Sequence, residues 1–522
     1  FLGPPDRLGR HVAAYPQGDA NSYSQFRDAY VGRTKAVFVG ANDGMLHGFN
    51  AANGKELFAY VPDNLMTGAF SQRITKLLDD DYSHRFYVDL TPALNDVFMD
   101  LDGDSSTVLD RQWTTLLVGG HGAGAKAYFA LNVTDTNNLD EAHAADIAMW
   151  EFTDADDTYP TNRQGSPLRS GNAANADGSN NDNGAQRRDL QSVPQPVKDL
   201  GYSFSVPTLA MSNVVTNGEH EWVAMFGNGP NSTAGYAKLF LLFVSRGVDG
   251  TWCHPDMRHN SVMNGPMPAG AARGYPCSTP KKDGTPNPEG TPIQDFVKID
   301  TEHGAQNGYP NGLGTPRGID VDHNGTLDYA YAGDTFGNVY RFDLRSSNFS
   351  DWRATKIFEA VHVDANSIVT RQQVTTQPLV TAHLTEAEGY LVVFGTGSYM
   401  TVPDGSSTSI QSIYGLWDRP WSGVITRDEL VRQSYTNFAD ERYGTLRTLS
   451  SNEVDYSVTG GRKGWYIDLD SVAVGGVQGI DPPQFAGERA SRNIQARGGR
   501  AFVNSIVPSV KNSCVNVAGG FA

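Results

Sequence analysis

Nine residues in the middle of the chain carry the side chains best suited to hold an ion. In the run Asp320–Asp328 (DVDHNGTLD), oxygen-bearing side chains occupy positions 1, 3, 5 and 9, and Gly325 can supply a tight turn. Calcium takes about six to eight oxygen ligands, and alternate residues of such a loop can point inward towards it. We therefore predict a calcium site. Asp320, Asp322 and Asp328 would supply three carboxylates, Asn324 a side-chain amide oxygen, and Thr326 its backbone carbonyl.

The residues around this run distinguish it from an EF-hand. Position 12, where an EF-hand has a glutamate, is Tyr331, and the flanking residues Ile319 and Tyr329–Ala332 are typical of strands. We expect the loop to join two neighbouring strands of one sheet, so that an ion would pin a hairpin and neutralise clustered charge. Magnesium suits an all-protein cage poorly because it demands octahedral geometry and retains water. The alternative is an acidic turn without an ion.

A second acidic cluster begins like the same motif. Asp100-Leu101-Asp102-Gly103-Asp104 is followed by Ser105-Ser106-Thr107-Val108, so valine stands where the ninth ligand should be. We favour a solvated hairpin loop over a second calcium site.

Motifs of the common catalytic sites are absent from the sequence. It contains no G-x-S-x-G, no H-E-x-x-H and no Walker loop, and the glycine-rich run Gly119–Gly124 falls in a predicted hairpin turn, where it cannot cradle a phosphate as a dinucleotide loop does. The twelve histidines are scattered, and we interpret His47 and His121 as structural residues. The sequence thus predicts no catalytic residues and a protein that is not an enzyme.

The elements that must position the loop form a repeat. An apolar strand ending in glycine and a polar turn recurs five times, at Val37–Asp43, Leu116–Gly122, Ala224–Pro230, Ala330–Phe336 and Val392–Ser398. Second strands follow at Met45–Asn50, Tyr128–Asn132, Leu239–Ser245, Asn338–Asp343 and Ile413–Asp418. Further strands begin next to a proline, whose missing N–H is tolerated at a strand start, at Thr91–Leu94, Val206–Leu209, Thr315–Gly318 and Gln377–Val380.

This pattern predicts an all-β fold, a β-propeller of about seven blades, five of which are clear in the sequence. With 522 residues the chain is longer than one ordinary hydrophobic core, so a fold that grows by repetition is favoured. We expect residues 1–522 to form a single propeller domain of a larger, processed protein. Long polar insertions are expected at 154–188 and 250–292.

Charge and hydropathy restrict the partners. A formal net charge of −17 repels nucleic-acid phosphates and anionic lipids, so we expect no nucleic-acid partner. No run approaches the length of about 18 apolar residues that spans a bilayer, and we expect a protein that does not span the membrane. Of three cysteines, Cys253 and Cys277 bracket one insertion and are provisionally paired, which leaves Cys514; three free thiols are the alternative.

The repeat also resembles a known family. The segment Val37–Val61 (VFVGANDGMLHGFNAANGKELFAYV) resembles the repeat of quinoprotein-like propellers, with Phe58 in place of the usual tryptophan and Asn50 in place of aspartate. Together with Leu117–Val133, Gly318–Asp343 and Val503–Cys514, it is similar to the carboxy-terminal propeller of the type IV pilus tip-associated PilY/PilC family.

The resemblance implies a function at the bacterial surface. In that family the propeller caps the pilus together with minor pilins, and an amino-terminal region carries an adhesive domain that binds host-cell or abiotic surfaces. Its calcium loop falls on Asp320, Asp322, Asn324, Thr326 (by its carbonyl) and Asp328. The resemblance therefore implies pilus biogenesis, calcium-dependent control of pilus extension and retraction in twitching motility, and adhesion. It implies a location outside the cell, at the pilus tip and associated with the outer membrane of a Gram-negative bacterium.

The sequence gives less support to one property of some family members, and to two alternative classes of protein, than to the pilus-associated propeller. The integrin-binding tripeptide Arg-Gly-Asp is absent, and Arg317-Gly318-Ile319 is the nearest approach, so integrin binding is not expected. A quinoprotein-like dehydrogenase would hold its quinone under adjacent cysteines with a tryptophan floor, whereas no two cysteines here are adjacent. A propeller scaffold for outer-membrane protein assembly lacks the calcium loop.

Overall fold

The computed structural model describes most of the chain. The described ranges are 1–5, 22–67, 73–101, 111–157, 198–216, 218–248, 252, 295–306, 308–383, 388–419, 423–440, 442, 444–457, 461–469, 486–508 and 519–521. Within these ranges no helix has both the length and the apolar character needed to cross a bilayer. The two predicted insertions lie mostly outside the described residues, as do Cys253, Cys277 and Cys514.

Two compact units divide the chain. The first comprises Phe1–Gly312, Asp320–Asp328 and Leu344–Arg353, and the second comprises Leu313–Ile319, Tyr329–Asp343 and Ala354–Ala522. Each is described separately below. The predicted single domain over residues 1–522 stays a prediction.

Antiparallel sheets make up most of the first unit, and their strands follow one another in chain order. One sheet has three strands and two have four. The strands are β1 (Ala36–Gly40), β2 (Leu46–Asn50) and β3 (Glu56–Tyr60); β4 (Ala93–Asp100), β5 (Arg111–Gly120), β6 (Ala127–Asn132) and β7 (Ala148–Thr153); and β8 (Thr208–Thr216), β9 (Glu219–Gly227), β10 (Lys238–Phe243) and β11 (Phe296–Asp300). Short helices α1 (Tyr23–Tyr30), α2 (Asn64–Thr67) and α3 (Ala144–Ile147) lie in the connections.

The inner strands of these sheets are buried along almost their whole length. In β6 and β10 nearly every residue is buried, on both faces of the sheet. A strand that is covered on both faces has to be apolar throughout, and a repeated blade obtains that cover from its neighbours. One core cluster accordingly joins the second and third sheets, with Trp113, Phe152 and Phe240 among its members.

The second unit also consists mainly of antiparallel sheets, although β21 joins its sheet parallel to β24 and out of chain order. Its larger sheets contain β12 (Arg317–Ile319), β13 (Tyr329–Gly333), β14 (Asn338–Asp343) and β15 (Arg353–Glu359); β18 (Leu379–Ala382), β19 (Tyr390–Gly395), β20 (Ser412–Asp418), β24 (Gly464–Asp468) and β21 (Val431–Gln433); and β25 (Arg489–Ala490), β28 (Ser505–Val507) and β29 (Gly519–Phe521). Two-stranded ribbons are formed by β16 (Val361–Val363) with β17 (Val369–Arg371), β22 (Tyr435–Asp440) with β23 (Gly444–Leu449), and β26 (Gln495–Arg497) with β27 (Arg500–Phe502).

Most of the strands predicted from the repeat are confirmed. All five first strands, all five second strands and the four proline-led strands coincide with strands of the structure. The described ranges contain six sheets of three or more strands, one fewer than the expected number of about seven blades. A further strand that the sequence predicts, the apolar segment Arg500–Pro508, is not one strand: it is divided between β27, which pairs with β26, and β28, which pairs with β25 and β29.

A glycine faces an aromatic ring across the strands in three of the sheets. Gly48 is paired with Phe58, Gly119 with Phe129, and Gly415 with Trp465. A Cβ atom built on these glycines would lie 2.4–2.5 Å from a ring atom of the partner. The ring therefore lies over the glycine backbone, and Phe58 occupies the place where the resembling repeat has tryptophan.

Candidate metal centre

The candidate loop Asp320–Asp328 belongs to the first unit, although β12 and β13, which precede and follow it in the chain, belong to the second. Its acidic and amide side chains fold it locally. Asp322 Oδ1 accepts the N–H of Asn324 at 3.1 Å, and Asn324 Oδ1 accepts the N–H of Thr326 at 2.8 Å. Such bonds to the backbone two residues ahead let short polar side chains stabilise turns.

Longer hydrogen-bonded links close the loop. Asp320 Oδ2 accepts the N–H of Gly325 at 2.8 Å, and Asp328 Oδ2 accepts the N–H of Val321 at 2.7 Å. Gly325 has φ +93°, in the left-handed region that glycine adopts without a steric penalty. A side chain there would also meet the methyl group of Met211, 3.2 Å from the Cβ position. The left-handed φ is the reason that the loop needs glycine here, because the flexible end of Met211 could shift by a few tenths of an ångström.

Three carboxylates converge in the loop. One oxygen each of Asp320, Asp322 and Asp328 lies within 4.8 Å of the others. Asp328 is buried, Asp320 is half-buried and Asp322 is exposed. One oxygen of Asp320, Oδ1, is buried and accepts no hydrogen bond from any described residue. A buried oxygen without a donor is costly, and a bound cation would satisfy it.

The charge of this cluster is not neutralised within the described part of the chain. There, no lysine, arginine or histidine forms a salt bridge with Asp320, Asp322 or Asp328. Three like charges at this spacing repel one another, and the repulsion is strongest where burial lowers the effective dielectric constant. The arrangement therefore favours a cation at its centre.

The two remaining predicted ligands are placed differently. Asn324 Oδ1 faces Thr326, at 2.6 Å from its hydroxyl, while Asn324 Nδ2 donates to Asp322 Oδ2 at 3.1 Å. The amide would have to rotate to turn its oxygen towards the carboxylates. Thr326 is buried, and its neighbour Leu327 donates its N–H to the carbonyl of Met211 at 2.9 Å.

Asn213 on β8 holds the loop in place, and sequence reasoning did not identify it. Its Oδ1 accepts the Thr326 hydroxyl at 2.8 Å, and its Nδ2 donates to the carbonyls of Leu327 at 2.8 Å and Leu344 at 3.1 Å. It lies 113 residues before Thr326 in the chain. A single asparagine in a strand carries no local signal of such a distant contact.

The other acidic and histidine predictions are only partly within the described residues. Asp100 is buried at the end of β4 and does not belong to the metal cluster found among the described residues. Asp102–Asp104 lie outside the described ranges. His121 is a packed core residue whose Nδ1 lies 3.0 Å from the Tyr87 carbonyl oxygen. Burial lowers the pKa of His121 to about 4.

Chain-ordered antiparallel sheets, buried on both faces and carrying a carboxylate-lined loop between two paired strands, define a β-propeller with a candidate cation site. A family model described as the PilY1 beta-propeller domain matches residues 9–170 and 296–437, more than half of the chain. The chain thus belongs to the PilY1 β-propeller family, which confirms the predicted resemblance to the PilY/PilC family.

Curated relatives and a solved structure agree with the family model. The chain is 28% identical over 515 residues to a type IV pilus biogenesis factor PilY1 homolog of Xylella fastidiosa, covering 97% of this chain and 27% of the relative. It is 28% identical over 491 residues to the type IV pilus biogenesis factor PilY1 of Pseudomonas aeruginosa strain PAO1, covering 87% of this chain and 32% of the relative. The chain therefore spans about a third or less of these relatives.

The solved structure is the crystal structure of the Pseudomonas aeruginosa PilY1 C-terminal domain. It is 26% identical in sequence and superimposes with a TM-score of 0.62, over 97% of this chain and 83% of that one. The predicted all-β propeller fold is thereby confirmed.

Proposed function

We propose that this chain is the propeller of a type IV pilus biogenesis factor, and that calcium bound at Asp320–Asp328 regulates its contacts with other pilus components. The relatives that match along most of the chain are named as biogenesis factors of that organelle. The proposed role is assembly and regulation, not catalysis. Its proposed location is the cell surface, at the pilus tip and associated with the outer membrane, with minor pilins as partners.

The observation that carries the calcium proposal is the convergence of three carboxylates, one of which has a buried oxygen without a donor. Asp320, Asp322 and Asp328 bring oxygens within 4.8 Å of one another, and Asp320 Oδ1 accepts no hydrogen bond from a described residue. An all-oxygen donor set on a flexible loop suits calcium, which tolerates irregular coordination, better than magnesium. Asn324, after rotation of its amide, and the Thr326 carbonyl would complete the ligands.

The same geometry supports a regulatory role for the ion. The loop is anchored to β8 through Asn213, so the anchor stays in place while the carboxylates respond to the charge between them. Without a cation their repulsion loosens the loop, and with a cation the loop is drawn together. We propose that this change alters partner contacts, and thereby pilus extension, retraction, twitching motility and surface adhesion.

Calcium titration of purified protein tests the site. Asp328→Ala removes the buried carboxylate and should abolish the main binding event in calorimetry, because one charged ligand is lost and Val321 loses its acceptor. Asp364→Ala is the matched control, because Asp364 also closes a turn, by accepting the N–H groups of Asn366 and Ile368. Equal calcium affinity in wild type and Asp328→Ala, or loss of binding in both variants, would rule out this site.

A cellular assay tests the proposed function separately. Bacteria carrying Asp328→Ala should assemble the protein but show altered surface piliation and twitching, whereas Asp364→Ala should behave as wild type. Asp328→Lys places an ammonium group near the proposed ion position and should restore part of the occupied behaviour. Normal piliation and twitching in a strain whose purified protein no longer binds calcium would contradict the regulatory role.

A further inference from the structure

The ribbon formed by β26 and β27 displays two arginines side by side. Arg497 and Arg500 are directly paired across the ribbon, on either side of the turn Gly498-Gly499. Both glycines have positive φ, +54° and +73°, as the two central residues of a type I′ hairpin turn require. This turn fixes the register, so the arginine pair is a defined feature of the ribbon.

One face of the ribbon carries all of its large side chains. Directly paired residues share a face and alternate residues return to it, so Arg497 and Arg500 lie on the same face as the pair Gln495 and Phe502. The other face has only Ala496 and Ala501. All six residues are exposed, and Phe502 is 49% exposed.

The paired arginines break a rule of strand pairing. Like charges directly opposite each other destabilise a sheet, and the surrounding sequence does nothing to offset them, because residues 489–508 contain no aspartate or glutamate. Among the described residues, none forms a salt bridge with Arg497 or Arg500. The pair is also opposite in sign to the chain as a whole, whose net charge is −17. Local conflicts of this kind are expected where function requires them.

We propose that this face of the β26–β27 ribbon docks an acidic, extended segment of a partner protein. Carboxylates of the partner would pair with the guanidinium groups of Arg497 and Arg500, whose planar donor sets match a carboxylate in two-point hydrogen bonds. An apolar side chain two residues further along the segment, on the same face as the carboxylates, would cover Phe502. Arginine beside an exposed aromatic ring is the composition that protein interfaces favour.

The charge of the whole chain selects a peptide over a membrane as the occupant. An anionic bilayer presents a broad negative surface, which a chain of net charge −17 repels, whereas a short acidic segment brings only a few charges to the arginine pair. Acidic residues of the chain that lie farther from the bound peptide than the Debye length of about 8 Å are screened, so they repel it little. The docking site uses no residue of the candidate metal loop and does not depend on the proposed calcium function.

Binding of short synthetic peptides tests the docking site. A fluorescein-labelled peptide of repeated Glu-Ser-Val-Ser units, which has glutamate and valine on one face when extended, should bind the full chain in an anisotropy titration. Binding should be weaker at high salt and at least about tenfold tighter than that of a peptide of Ser-Ser-Val-Ser units. Arg497→Glu with Arg500→Glu should remove this preference. The matched control is Lys55→Glu with Arg353→Glu, which changes the net charge equally at two exposed positions elsewhere and should leave binding unchanged.

Two further arms make the result decisive. Arg497→Gln with Arg500→Gln, which removes charge without reversing it, should also remove the preference while the circular dichroism spectrum and melting temperature match wild type. Equal binding of the acidic and neutral peptides, or equal losses in the ribbon and control variants, would overturn the proposal. Arginine-dependent binding of phosphatidylglycerol vesicles without binding of the acidic peptide would replace it with a membrane site.

Discussion

His47 on β2 is held between two carboxylates. Its Nδ1 lies 2.6 Å from Glu56 Oε1 on β3, and its Nε2 lies 2.9 Å from Asp43 Oδ2 in the turn before β2. The hydrogen bond to Glu56 raises the pKa of His47 above its usual value; burial opposes this, and Asp43 adds to it. When the ring is protonated, it links the turn to the neighbouring strand through both carboxylates.

The pH dependence of stability follows from the sign of this shift. Because the pKa of His47 is higher in the folded than in the unfolded protein, its contribution is fully present below the unfolded pKa and is lost as pH rises through the folded pKa. His47→Gln should therefore destabilise the first unit at mildly acidic pH and have little effect at alkaline pH. Denaturant unfolding of both proteins across this range measures the difference. A constant difference at all pH values would contradict the assignment.

At the candidate metal centre, the local part was predictable and the distant part was not. The spacing of Asp320, Asp322 and Asp328 identified the converging carboxylates, because ligand geometry in a short loop depends only on neighbouring residues. The rotation of the Asn324 amide and the support from Asn213 depend on tertiary contacts. A pattern within nine residues contains no information on a strand more than a hundred residues earlier.

Glycine opposite an aromatic ring is the feature that recurs among the sheets. At Gly119, a Cβ atom would lie 2.4 Å from the ring of Phe129, which is fully buried. Such overpacking forces side chains off their preferred rotamers and shifts the backbone.

Gly119→Ala should therefore lower the free energy of unfolding by about 1–3 kcal/mol. Gly423→Ala is the control, because a Cβ there meets nothing within 4 Å and the residue needs no positive φ. Chemical denaturation followed by tryptophan fluorescence compares the two variants. Equal stability of the two would mean that Phe129 gives way without strain.

Strands were predicted correctly where an apolar segment ends at a glycine turn, and incorrectly where one segment changes its partner strand. The five repeats have apolar strands that end at glycine turns, and the structure places strands at each of them. Within residues 500–508, β27 ends before Val503-Asn504, and β28, which belongs to another sheet, begins after these two residues. The pair Gly498-Gly499 signals the hairpin, whereas nothing in the composition marks the exchange of partners after Phe502.

On the scale of the whole chain, the apolar core is distributed among many sheets. Separate core clusters are formed around Trp113, around Phe394 and around Leu117, and none of these three includes a residue of the candidate metal loop. Stability that is distributed over repeated units does not depend on one loop, in contrast to small domains that fold only with their metal.

Calcium removal should therefore leave the fold intact. After chelation we expect an unchanged far-UV circular dichroism spectrum and faster proteolytic cleavage within 320–328, mapped by mass spectrometry. Asp328→Ala should be cleaved at the same rate with and without chelator. Loss of the β-sheet spectrum on chelation would show that the loop holds the whole fold together.

The glycine–aromatic pairs also restrict how the strands can align while the chain folds. If β5 slid by two residues along β6, each side chain would keep its face of the sheet, and burial alone would barely oppose the error. The ring of Phe129 would then meet a side chain instead of the bare backbone of Gly119. Misaligned pairings of β5 with β6 are thus opposed by steric conflict before the core is complete.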